Sequence, residues 1–166
     1  AGKAVNAMTA QTGVNINEAN AEVFISIHVN ATKGNWFGAQ VFYGTKNPES
    51  KRLAEVIQRA LYNCPPGNKR QAKQDSEIIV LNEPNIPGVL VEVGFLTSKR
   101  EASLLTDPQY QQKLATQIAK GLAYHFSQNG KDNAKRIDSV NKLVGCALMP
   151  HPPIMIPEVG GQELVH

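Results

Sequence analysis

Apolar residues fall along the chain in two rhythms, one alternating and one helical. The first nineteen residues show neither: small and polar side chains dominate and Gly13 interrupts helical spacing, which leaves only a short helix leading into "NEANAE". "EVFISIHV" (22–29) is rich in β-branched residues and reads as a strand. Its alternation puts Val23, Ile25, Ile27 and Val29 on one face and Phe24, Ser26, His28 and Asn30 on the other. A strand apolar on both faces predicts an interior position in a covered, largely parallel sheet. "AQVFYG" (39–44), "SEIIVL" (76–81) and "VLVEVGF" (89–95) are read as further strands, separated by the loops "ATKGNWFG", "KRQAKQD" and "NEPNIPG".

Three helices are predicted. In "TKNPES" Asn47 suits a cap, Pro48 the first helical position and Glu49 the positive end of the helix dipole. Leu53, Val56, Ile57, Ala60 and Leu61 then repeat at helical spacing until "CPPGN" stops the run. Ser98 and Glu101 have capping-box spacing and open a helix through "SKREASLL". Asp107-Pro108 starts the last one, in which Tyr110, Leu114, Ile118, Leu122 and Phe126 recur every fourth residue to about residue 127. The expected architecture is α/β: a mostly parallel twisted sheet flanked by helices. Residues 1–128 read as the folded domain. Residues 129–166 read as a polar linker followed by an apolar, Pro-rich tail.

Composition narrows the function classes. A chain of 166 residues with net charge +3 is ordinary for one globular domain, and no basic stripe interleaved with aromatics points to nucleic acid. No apolar run is long enough to span a bilayer, and the first residues lack a signal-peptide core. Cys64 and Cys146 are far apart and form no CxxC pair, so a disulfide framework and a zinc finger are both disfavoured.

The candidate chemistry lies in two apolar strands that each carry one ionisable residue near the carboxyl end, His28 and Glu92. Ligands of open α/β sheets bind outside those ends. A His and a Glu meeting there suit a metal ligand and a proton-transfer group. The bland alternative for His28 is a hydrogen-bonded structural imidazole. Glu92 inside "VLVEVGF" either faces a polar cleft or is buried at a cost of several kcal/mol. Lys69, Arg70 and Lys73 offer contacts for carboxylates, against the plainer reading of a solvated loop face.

The words "ANAEVFISIHVNA", "GAQVFYG", "PGVLVEVGFLTS", "EASLL" and "YQQKLATQIAKGL" stand in the order seen in zinc-dependent N-acetylmuramoyl-L-alanine amidases of the amidase-3 type. The chain resembles that family over residues 15–128, most nearly its spore-cortex germination branch. The resemblance implies hydrolysis of the amide joining the lactyl group of N-acetylmuramic acid to L-Ala of the peptidoglycan stem peptide, in the cell envelope or outside the cell. It makes His28 a zinc ligand and Glu92 the catalytic glutamate. Zinc would lower the pKa of a bound water and polarise the carbonyl. Asn30 is a candidate for orienting the ligand or touching substrate.

The same resemblance exposes a departure. The family begins with a strand ending in a "DPGHGG"-like turn, followed by an "EK" word, which bring a second zinc histidine and a glutamate ligand. Neither word occurs here, and His125, His151 and His166 sit in other contexts. The expectation is a catalytic domain short of its N-terminal strand, completed by a missing N-terminal segment or a separate or activating chain. Its loss should leave apolar surface exposed. The alternative is a non-catalytic peptidoglycan-binding remnant or fragment that cannot hold zinc. The tail "LVGCALMPHPPIMIPEVG" resembles the opening of LigB-type, extradiol-dioxygenase-like proteins, which implies no dioxygenase activity in the absence of the remainder.

Overall fold

The computed structural model describes residues 21–82 and 84–128. The lead-in helix, the linker and the tail of the sequence reading, with Cys146, His151 and His166, lie outside them. Four strands, β1 (Phe24–Asn30), β2 (Gln40–Tyr43), β3 (Lys73–Gln74) and β4 (Gly88–Phe95), form one sheet in the order β1-β4-β2-β3. β1 runs parallel to β4 and β3 parallel to β2, as expected. β2 runs antiparallel to β4, so the sheet is mixed.

The helices are α1 (Pro48–Ala60), α2 (Ile79–Asn82), α3 (Lys99–Leu105) and α4 (Pro108–Gln128). Asn47 caps α1 by accepting the Glu49 N–H at 3.0 Å, with Pro48 entering the helix. The core lies between one sheet face and the stripes of α1 and α4. Val41, Val89, Val91 and Val93 meet Leu53, Ala54, Ile57, Leu114 and Ile118 there. At the helix crossing a Cβ on Gly121 would stand 2.6 Å from the Ile57 Cα, so only glycine permits this approach.

Three expectations are corrected. "SEIIVL" is not a strand: α2 begins within it. A short apolar run does not distinguish strand from helix, and Asn82 decides the matter. Its side chain donates to the carbonyls of Asp75 and Ile78 and accepts the Thr45 N–H at 2.8 Å. Secondly, "KRQAKQD" is not wholly loop, because Lys73–Gln74 pairs with the end of β2. Thirdly, β1 is an edge strand among the described residues, with Ile27 58% and Val29 43% exposed. Its apolar pattern calls for cover that the described residues do not supply.

Side chains complete the start of β2 where β3 does not reach. Gln58 of α1 accepts the Val41 N–H at 2.7 Å and donates to the Ala39 carbonyl. Buried Asn68 donates to the carbonyls of Ala39, Leu61 and Cys64. These bonds pay the polar groups of a sheet end and fix the loop that follows α1.

Candidate active site

The parallel register of β1 and β4 pairs His28 with Glu92, and the antiparallel register of β2 and β4 pairs Gln40 with the same Glu92. Residues paired across a sheet point to the same face. His28, Glu92 and Gln40 therefore form one polar row, on the face opposite the valines that meet α1 and α4. The row lies toward the carboxyl ends of β1 and β4, where a ligand site is expected.

Within the row, the His28 imidazole Nε2 lies 2.8 Å from Ser26 Oγ, in an exposed position. Glu92 Oε2 is buried and has no hydrogen-bond partner among the described residues. Burial pushes the Glu92 carboxyl above its ordinary range, and the nearby His28 pulls it partly back. A buried carboxylate oxygen left unpaired is costly unless it meets something the fold itself does not provide.

Asn30 departs from the alternation. The register slips between His28 and Asn30, which pairs with Phe95. Its Oδ1 accepts the Thr32 N–H at 2.8 Å in an Asx turn and its backbone carbonyl accepts the Leu96 N–H. The oxygen is thus committed to the turn, and only the amide nitrogen is unspent among the described residues. His125 lies buried in α4, on an element that packs on the opposite face.

Gln40 has no site role in the sequence reading, whereas Arg70 and Glu101 have roles there that differ from their place here. Gln40 holds the Gln71 carbonyl through Nε2 at 2.9 Å and accepts from Arg70 Nη1 at 2.8 Å. Only its polarity at the start of "QVFY" could have signalled it. The sequence offers Arg70, with Lys69 and Lys73, as a contact for carboxylates or as part of a solvated loop face. Glu101 was read as half of a capping box. Its N–H does approach Ser98 Oγ at 3.4 Å. Its carboxylate, however, is buried and accepts the Gly38 N–H at 3.1 Å, with a second backbone bond to Phe95. It thereby bridges β2 and β4 just past the Glu92–Gln40 pair, where the ladder opens. Burial raises its carboxyl above the ordinary range against the pull of those bonds and of Arg70 and Arg100.

A catalytic zinc needs three protein ligands. No group of three His, Cys, Asp or Glu side chains converges among the described residues. His28 and Glu92 alone do not fit a resident zinc.

Residues 6–124 match the amidase-3 family, described as N-acetylmuramoyl-L-alanine amidase. The chain belongs to this family. It is 41% identical over 116 residues to the germination-specific N-acetylmuramoyl-L-alanine amidase of Bacillus subtilis strain 168, a match that takes in 69% of this chain and 49% of that protein. Its fold resembles the CwlD amidase of Clostridioides difficile, solved in complex with the GerS lipoprotein. The TM-score is 0.65 and the identity 40%, over 68% of this chain and 58% of that one. A second N-acetylmuramoyl-L-alanine amidase, from Clostridium difficile 630, matches with TM-score 0.63 and 32% identity, over 69% of this chain and 63% of that one. The chain therefore spans about half the length of the curated relative.

Proposed function

We propose that this chain carries the proton-transfer part of a peptidoglycan amidase. The reaction is hydrolysis of the amide between the lactyl carbonyl of N-acetylmuramic acid and the amine of L-Ala. Family membership supports the reaction class. The observation that carries the assignment to residues is the buried, unpartnered Glu92 Oε2, in register with His28 at the strand ends.

Glu92 acts as base and then acid. Its carboxylate takes a proton from water as the oxygen attacks the lactyl carbonyl, and returns it to the L-Ala nitrogen as the C–N bond breaks. The products are a lactyl carboxylate and a free stem-peptide amine. A carboxyl raised by burial serves this role better than an exposed one, because its proton affinity lies nearer the working pH. His28 is assigned as one ligand of the zinc on which the family generally depends, the remaining ligands coming from outside the described residues. The cell envelope is the site of action that this substrate requires. A protein partner is in keeping with the lipoprotein complex of the similar CwlD amidase.

The test is a graft. Residues 6–124 replace the matching segment of the Bacillus subtilis relative, and release of the L-Ala amine from a muropeptide is followed. The graft is expected to hydrolyse it. Glu92→Gln in the graft should lose about 100-fold or more in rate while zinc content is unchanged. Retained turnover in that variant refutes the role of Glu92. A non-catalytic peptidoglycan-binding remnant is the second reading, favoured by the lack of a three-ligand group among the described residues. It predicts a folded, muropeptide-binding graft with no hydrolysis.

A further inference from the structure

The polar row does not end at Gln40. Arg70 continues it, because its Nη1 donates to Gln40 Oε1 at 2.8 Å. The two lysines grouped with it, Lys69 and Lys73, are exposed, as a solvated loop face requires. Arg70 differs. It is half-buried, and its guanidinium carbon lies 5.2 Å from the Phe95 ring centroid and 5.7 Å from that of Trp36. Trp36 is itself half exposed, at 51%.

This arginine is held in place before any ligand arrives. Asn68, locked by three carbonyls, accepts the Arg70 N–H through Oδ1 at 3.2 Å. Gln40 is in turn anchored on the Gln71 carbonyl. Flanking rings and a fixed backbone remove much of the side-chain entropy that binding would otherwise cost. Yet the guanidinium forms no ion pair within 4.0 Å among the described residues, where the two ion pairs found are surface contacts along α1. Glu101 reaches it only as a longer-range field. Burial already disfavours the charge on Arg70, and among the described residues the only hydrogen bond its guanidinium makes is the one to Gln40.

An unpaired, preorganised guanidinium one residue along the row from the proton-transfer carboxylate suits a planar anion. We propose that Arg70, set against Trp36 and Phe95 and pinned by Gln40, is a specificity-determining residue that binds the free carboxylate of the stem-peptide residue following L-Ala. The assignment rests on the amidase reading above. It adds a substrate preference: stem peptides with that carboxylate free over those in which it is amidated.

The experiment uses the chain itself and two ligands, N-acetylmuramoyl-L-alanyl-D-glutamate and its α-amide, with dissociation constants from NMR titration. The acid is expected to bind about tenfold more tightly than the amide. Arg70→Met should erase that ratio, and Arg70→Lys should keep part of it. Each ratio is internal to one variant, so a partly destabilised variant still reports, and the wild-type ratio is a test without any variant. Equal binding of acid and amide by the wild type overturns the role of Arg70 and leaves the amidase reading standing. A preference that survives in Arg70→Met also overturns it. Binding of neither ligand overturns this inference, while the amidase reading stands or falls with hydrolysis by the graft.

Discussion

Glu92 and Glu101 differ in what else their carboxylates meet. Each keeps Oε2 buried and unpartnered among the described residues, but Glu101 also accepts from the Gly38 and Phe95 backbone, whereas Glu92 has His28 beside it. Burial holds the Glu92 carboxyl above its unfolded value, so the folded state favours the neutral acid. The stability this contributes is present below the unfolded pKa and is lost as pH rises through the folded one. Glu92→Gln, a permanent neutral mimic, is therefore expected to raise the melting temperature at pH 7, with the gain vanishing below about pH 4. A variant less stable than wild type at pH 7 contradicts the burial account. Glu101→Ala should act in the opposite direction. Leaving the buried Gly38 N–H unpaired costs about 1–3 kcal/mol in urea unfolding. The pairing of His28 with Glu92 on one face was within reach of the sequence, because a polar residue interrupting an apolar strand is conspicuous. Arg70 could not be told from Lys69 and Lys73, nor the second role of Glu101 seen, because they act on Gln40 and Gly38 across separations of 30 and 63 residues.

At the scale of elements, local signals decided what could be read. Asn47, Pro48 and Glu49 mark the start of α1, and the fourfold spacing from Tyr110 marks α4, so both helices are found where their patterns place them. Where the deciding partner lies elsewhere in the chain, the pattern was insufficient. The run "SEIIVL" turns into α2 because Asn82 bonds Thr45, which lies 37 residues away. The antiparallel course of β2 likewise has no local signature. Helix packing supplies a prediction of the same kind. The α1–α4 crossing depends on Gly121 lying against Ile57. Gly121→Val places side-chain atoms where the α1 backbone already stands. It should cost about 1–3 kcal/mol or more, read as a lower urea midpoint. Unchanged stability would mean that the two helices can separate without loss.

Among the described residues the sheet presents a polar site row and an uncovered edge. β1 supplies both: His28 to the polar row, and on the opposite face Ile27, paired with Val91 in register yet more than half exposed. No strand pairs with the outer side of β1 among the described residues. An uncovered strand with β-branched apolar side chains is a template for association with another chain. The chain should therefore self-associate as its concentration rises, through this edge. Ile27→Lys places a charge on the strand where wild-type packing is weak, so the cost in stability should stay within about 0.5 kcal/mol. Light scattering across a concentration series should show association of the wild type and a chain that stays monomeric with Lys at position 27. Equal association of the two proteins would move the sticky surface away from β1.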